Sequence, residues 1–387
     1  MKRWKILSIT ILLIILASCA KTPAVQPGSD PEVPSAEVPE TLSWDDLSWD
    51  EHLPLAYAES FTADYSPEGY ARIIIDNITY ILIPEGAEVP ADIPSDVTVL
   101  RQPLQNIYLQ ATAAMDCFRK LDAISAVTLS GTQSDGWYIP EAREAMEAGD
   151  MIYAGKYNAP DYELIQSKNC DLALESTMIY HNPEVKEQLE RLGIPVLVER
   201  SSYEVHPLGR MEWIKLYGVL LGREENAEAY FNTQLEKLEP VLEQENTGKT
   251  AAFFSITSNG SVTVRKAGDY IAKAIDLAGG VYVPQGLAEE ENALSTMNIQ
   301  METFYNEAKD ADVLIYNSTI ESNLETIEQL IAKSAPLADF KAVQNGNVWC
   351  TGKSMFQESQ SAGEIILDIH NVLTGESDDL TYLHQLT

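Results

Sequence analysis

Cysteine is scarce, with four in 387 residues. Beyond Cys19 there remain Cys117, Cys170 and Cys350, without a C-x-x-C pair or any Cys/His spacing of the zinc type. Three thiols cannot all pair. Cys117 lies in a helix-like pattern and Cys170 abuts a strand-like one, so buried free thiols are expected rather than a Cys117–Cys170 bridge. Histidine is nearly as rare, with five residues and no pair four apart on a helix. Cations are few: 26 Lys and Arg stand against 59 Asp and Glu, for a formal net charge of -33. Such a surface repels phosphate backbones and anionic headgroups, so no nucleic-acid partner is expected. Long apolar runs are missing after the first twenty residues, which excludes an ordinary membrane span in the body of the chain. Also absent are G-x-S-x-G, H-E-x-x-H, the phosphate-binding P-loop and G-x-G-x-x-G. No catalytic residue can be named from motifs, although a triad with scattered members stays open at this level.

What is present starts at the N-terminus. Lys2, Arg3 and Lys5 precede an apolar stretch from Ile6 to Ala17, followed by the small residues Ala17 and Ser18. Residues 1–18 therefore read as an export signal. A cysteine placed directly after the small residues makes it a lipoprotein signal, with Cys19 the expected lipidated first residue. The rest of the chain is then expected on the outer face of the cytoplasmic membrane, held by lipid. Residues 19–51 hold several prolines and acids and few bulky apolar groups, and read as an acidic tether.

The globular part divides into a first lobe over 52–222, a bridge over 223–246, a second lobe over 247–376 and a tail over 377–387. Two apolar runs flank Asp76-Asn77, which predicts a hairpin with a two-residue turn. Strand and helix patterns then alternate. Helices are expected over 106–121, 141–147, 161–167, 183–192, 207–222, 224–245, 269–278, 300–309, 324–333 and 362–373. Strands are expected over 97–100, 123–129, 171–174, 195–198, 251–256, 312–316 and 347–349. This rhythm predicts an α/β fold: two Rossmann-like lobes with parallel sheets joined by one long bridging helix. A coarse duplication runs through it, Glu163 with Asp171 in the first half and Glu302 with Asp312 in the second.

Several segments in this order carry a resemblance. They are Gly155-Lys-Tyr157 leading through Asp161–Ile165 into Cys170–Leu174, then Leu192–Val196, the bridging helix, Leu277–Gly280, Ala311–Ile315 and Ala342–Val348. Over roughly 95–375 the chain resembles the substrate-binding lipoproteins of ABC importers, in the class that carries ferric siderophores, haem and cobalamin. The resemblance implies a ligand held between the lobes by loops at the carboxyl ends of the strands. Those loops fall near 130–138, 153–158, 175–181, 199–206, 258–268, 316–319 and 350–356.

Candidate ligand contacts on them are Trp137, Tyr138, Lys156, Tyr157, Arg265, Tyr316, Met355 and Phe356. Aromatic faces suit flat macrocycles, and isolated cations suit anionic chelates. The plainer alternative for Trp137 and Tyr138 is packing under a loop, and for Lys156 a solvated side chain. His181 and His206 are weaker candidates that can equally satisfy loop backbone. The resemblance further implies that Glu163 and Glu302 dock on an ABC permease with its ATPase, although both also suit helix N-termini as plain solvated acids. The implied protein is a monomer without a resident cofactor or metal of its own; iron or cobalt would arrive inside the ligand. A ferric siderophore or similar iron chelate leads, with haem or a corrinoid second. The alternative from another class is an exported α/β lipoprotein hydrolase, which requires a Ser or Asp/His constellation in the cleft.

Overall fold

A computed structural model describes residues 42–287, 296–320, 323–377 and 379–387. The signal, Cys19 and the greater part of the expected tether lie outside the described residues. Among those described, no helix is long and apolar enough to cross a membrane.

The chain first builds a five-stranded sheet from Glu51–His52, Phe61–Tyr65, Ala71–Ile75, Ile78–Ile83 and Thr98–Arg101, in that order. The expected hairpin is its centre, with Ile75 opposite Ile78. Asp76 and Asn77 both take positive φ, 51° and 63°. That geometry matches the right-handed twist of the flanking strands, and Asp and Asn tolerate it better than most residues. Both faces of the sheet are covered. Ile73, Ile75, Tyr80 and Leu82 join the main core. Ile81 and Ile83 pack under Leu47, with Trp44 and Trp49 against them. Residues 42–51 are consequently part of the body and not of the tether, because Leu42 and Trp44 bond to Ala91 through backbone and Leu47 is buried.

The first lobe carries an all-parallel sheet in the order Val196–Glu199, Leu172–Ser176, Ile107–Leu109, Val127–Ser130, Ile152–Tyr153. Its central strand corrects the expected helix over 106–121. Ile107, Tyr108 and Leu109 are buried on both faces, and so short an apolar run carries no period that separates strand from helix. Helix begins only at Met115–Lys120. The expected helix over 207–222 is also two pieces, Pro207–Glu212 and Ile214–Leu221. At the break, Trp213 donates its indole N–H to Glu204 (2.7 Å) and packs edge-on to Phe61.

Glu224–Leu242 is the bridge. At about 1.5 Å per residue it spans roughly 28 Å, packed against Ile214–Leu221 of the first lobe and Ala362–Thr374 of the second. The second-lobe sheet is mixed, not wholly parallel. Thr250–Ile256, Val281–Val283, Val313–Tyr316 and Val348–Thr351 are parallel, whereas Val262–Arg265, Thr296–Ile299 and Leu383–Gln385 join antiparallel. The last of these corrects the expected tail: Asp368 accepts the N–H groups of Thr381, Tyr382 and Leu383, so the C-terminus closes the sheet.

The duplication has a structural cause. Asp171 accepts the N–H groups of Gln105 and Asn106 at the start of the neighbouring strand. Asp312 accepts the N–H and hydroxyl of Thr250 in the same position of the second lobe. Each aspartate pins two parallel strands at their amino ends. The preceding helices are Tyr162–Ser167, of 6 residues, and Met301–Ala308, of 8, which accounts for the wider Glu302-to-Asp312 spacing.

Candidate functional site

A cavity of about 420 Å³ opens at the carboxyl ends of the first-lobe strands. Its walls come from three of the expected loops: Gly131–Gln133, Tyr153 to Tyr157, and Ser176 with Met178. The missed central strand supplies the floor, since Gln110 follows directly on Leu109.

Local geometry explains the shape. Gly155 holds φ 90°, and a side-chain carbon there would run into the backbone of Ala159 and Pro160. Only glycine permits this turn, which lets Gly155–Lys156 pair with Ala159–Pro160 and places Lys156 and Tyr157 at the cavity. The turn is then pinned from below, where the Tyr108 hydroxyl (2.9 Å) and the Gln110 amide (2.9 Å) both donate to the Gly155 carbonyl. The Gln110 amide also donates to the Tyr108 hydroxyl. Gly131 leaves the room this amide needs, because a Cβ there would overlap it. Gly131→Ala should therefore expel Gln110 from its site. Losing its hydrogen bonds should cost about 1–2 kcal/mol in urea unfolding, and an unchanged midpoint would count against this packing.

Glu175, on the strand beside Ile107–Leu109 and one residue before the cavity-lining Ser176, is fully buried, with no hydrogen-bond partner for either oxygen among the described residues. Burial alone pushes its carboxyl up to about 8. Burial also raises the neighbouring Tyr108, Tyr162 and Cys170, so none of these three carries charge at pH 7.

In the second lobe, Arg265 ends a strand and forms a cationic shelf. Its guanidinium lies 4.9 Å from the Phe356 ring, 5.6 Å from Phe253 and 5.8 Å from Tyr270, and 3.4 Å from Asp269. Arg210 from the first lobe covers the same Tyr270 ring at 4.4 Å.

The expected site residues divide accordingly. Lys156 and Tyr157 meet at the cavity; Arg265 and Phe356 meet at the shelf. Tyr138 is exposed, with its N–H bonded to Gln357. Three of the expected ligand contacts are buried side chains. Trp137 is enclosed and donates to the Ser130 hydroxyl at 3.1 Å. Tyr316 is enclosed edge-on to Phe254, and Met355 lies in the main core. An aromatic on a loop next to a sheet end serves packing as readily as binding, and the sequence pattern is the same. His206 caps a helix by accepting the Leu208 N–H and stacks on Tyr57, while His181 is exposed. Glu163 and Glu302 are exposed in the first turns of their helices. Sequence reasoning did not find Gln110, Thr132, Tyr153, Ser176 or Met178. Of these, Thr132, Tyr153, Ser176 and Met178 fall in expected loops, so strand ends were the usable signal. Tyr138, Met178, Tyr180 and Tyr203 are exposed large side chains, and all lie on first-lobe loops at strand ends.

Comparison with known proteins agrees with this architecture. The family model described as periplasmic binding protein matches residues 113–354. An uncharacterized lipoprotein of Methanocaldococcus jannaschii is 25% identical over 244 residues; the match covers 62% of this chain and 57% of that one, so the chain spans little more than half of that relative's length. A second uncharacterized lipoprotein of the same organism is 24% identical over 349 residues, covering 85% of this chain and 86% of its own. Among solved structures, a periplasmic haem-binding protein from Pseudomonas aeruginosa superposes with a TM-score of 0.57 at 15% identity, covering 73% of this chain and 98% of that one. A catecholate-siderophore-binding protein from Vibrio cholerae gives 0.54 at 14%, covering 72% and 95%. A vitamin B12-binding protein from the same species gives 0.51 at 18%, covering 70% and 97%. These likenesses establish the fold.

Proposed function

Because the chain belongs to the periplasmic binding protein family, we propose that it is a lipid-anchored receptor that captures an iron chelate outside the cytoplasmic membrane and delivers it to an ABC permease. Family membership makes it a solute-binding protein and not an enzyme, which overturns the hydrolase alternative. The observation that supports a chelate is the placing of aromatic side chains beside cations at strand ends in a strongly acidic chain. Lys156 stands with Tyr153 and Tyr157 at the cavity, and Arg265 is braced by Phe356 on the shelf. In a protein of net charge -33, cations at strand ends suit an anionic ligand, with Arg265 held in place by Asp269, and the aromatic rings suit a flat or aromatic one.

Haem or a corrinoid is the second reading, favoured by the exposed Tyr138, Met178, Tyr180 and Tyr203. Docking of Glu163 and Glu302 on the permease draws support from their matched positions, each one helix before an aspartate that pins its sheet. Lipidation at Cys19, with the chain behind it as a tether, would keep the receptor near its permease at high effective concentration.

The test is a thermal-shift panel on the full chain with ferric catecholate, hydroxamate and citrate chelates, haem and cobalamin. A ligand at one hundred times its Kd should stabilise the fold by about 2.7 kcal/mol. A shift with a ferric chelate is expected. A shift with haem or cobalamin alone would transfer the assignment to the second reading, and no shift with any of them would overturn both.

A further inference from the structure

The second lobe reaches the first through the segment between the Val348–Thr351 strand and the final helix. Most of its contacts fasten one place, the helix Met115–Lys120 and the turn before it. Ser359 donates to the Ala113 carbonyl at 2.7 Å, the Gln360 N–H to Asp116 at 2.8 Å, and Glu358 pairs with Arg119 at 3.3 Å.

Gln357 is different. Its amide nitrogen donates to the Gly136 carbonyl at 2.7 Å, and its amide oxygen accepts the Tyr138 N–H at 2.7 Å. One second-lobe side chain thus binds the backbone of the 131–138 loop on both sides of Trp137. That loop supplies Gly131, Thr132 and Gln133 to the cavity wall. It is also stiff. The Trp137 indole is held by Ser130, and its carbonyl accepts the Arg143 guanidinium at 2.6 Å. A pull at Gly136 and Tyr138 is therefore carried to the wall and not absorbed. On the other side, the residue next to Gln357 is Phe356, whose ring supports Arg265.

We propose that Gln357 is a positioning residue that latches the Arg265–Phe356 shelf of the second lobe to the cavity wall of the first, so that a ligand engaging Arg265 sets the wall formed by the 131–138 loop. The role in ligand response rests on the receptor reading above; the latch itself does not. The physical requirement is a side chain that donates and accepts at once with fixed geometry, which an amide satisfies and a carboxylate cannot. The coupled unit has two ends and one crossing point, and that makes it open to a cycle of substitutions.

The experiment is hydrogen exchange by mass spectrometry on the ligand-free full chain. Gln357→Ala should speed exchange in the peptide covering 131–139 by about tenfold or more, since both of its bonds to the loop backbone are lost. Arg265→Gln should speed the same peptide several-fold when Gln357 is intact and add nothing when Gln357 is alanine. Gln357→Glu keeps an acceptor for Tyr138 and loses the donor to Gly136, so an intermediate rate is expected; this variant also serves if the alanine variant is globally unstable. Unchanged exchange in Gln357→Ala, or an Arg265→Gln effect that persists undiminished without Gln357, would overturn the latch. No ligand enters these measurements, so their failure leaves the receptor reading standing, and an empty ligand panel leaves the latch standing.

Discussion

Glu212→Ala should cost the fold about 4 kcal/mol or more and loosen the N-terminal sheet. The Glu212 side chain is completely buried, and its carboxylate accepts the N–H groups of Ala56, Tyr57 and Ala58 at 2.8–3.0 Å. Lys215 completes the site, bonded to Glu212 at 2.8 Å and to the Pro54 carbonyl at 2.8 Å. Burial works against the charge, but Lys215 and the three backbone donors outweigh it and hold the carboxyl below the usual glutamate range. Its contribution is thus present above the unfolded pKa and fades as pH falls through the lower folded value. Alanine would leave the N–H groups of Ala56, Tyr57 and the buried Ala58, and the Lys215 ammonium, without this acceptor. Breaking a buried pair from one side typically costs about 3–5 kcal/mol, and the one buried orphaned donor, Ala58, adds about 1–3 kcal/mol. Urea unfolding at pH 7 measures the loss, and hydrogen exchange over 51–83 should show the sheet opening first. Glu212→Gln keeps an acceptor oxygen and should fall between. A loss below about 1 kcal/mol would mean that the segment 54–60 is held by its apolar contacts alone.

The opposite effect is expected at Glu175. Its carboxyl, raised by burial to about 8 from 4.5, is protonated in the fold where it is ionised in the unfolded chain. Between those two values the folded state binds the extra proton, so this residue lowers stability progressively as pH rises from 4.5 to 8, with no further change outside the window. At pH 7 the penalty is roughly 3 kcal/mol, at about 1.36 kcal/mol per unit. Glu175→Gln mimics the protonated acid without the titration. The variant should match the parent at pH 4.5 and exceed it by about 3 kcal/mol at pH 7. Denaturant midpoints across pH 4.5 to 8.5 decide the matter. A difference between variant and parent that stays flat with pH would show that Glu175 is solvated or paired in solution. An isolated buried acid next to a cavity-lining residue is costly to keep, and proteins commonly hold such groups near sites of function.

How far the sequence could be read depended on whether each feature was local. The Asp76-Asn77 hairpin was legible because two neighbouring residues that tolerate positive φ sit between apolar runs. The helices starting after Asp161 and Asp269 were legible because those side chains cap their own first turns, accepting from Leu164 and Ile271. The strand Ile107–Leu109 was not, because three residues buried on both faces show no period. The closing strand Leu383–Gln385 was not, because its partner in the sheet is Val348–Thr351 and its anchor is Asp368, both remote in sequence. The loops of the candidate site could be placed at strand ends, but the direction of each side chain could not. Trp137 and Tyr138 are adjacent; one is enclosed and the other exposed.

The sequence by itself determined the class of fold, the two-lobed plan with its bridge, and the family resemblance, since these follow from hydrophobic period, capping chemistry and the order of short motifs. Tertiary structure alone decided that residues 42–51 belong to the body, that Gln110 floors a cavity beside the buried Glu175, and that Gln357 crosses between lobes. The physical reason is the same in each case. A residue's burial and hydrogen-bond partners are set by groups tens to hundreds of positions away, and a pattern read along the chain carries no record of which of them it meets.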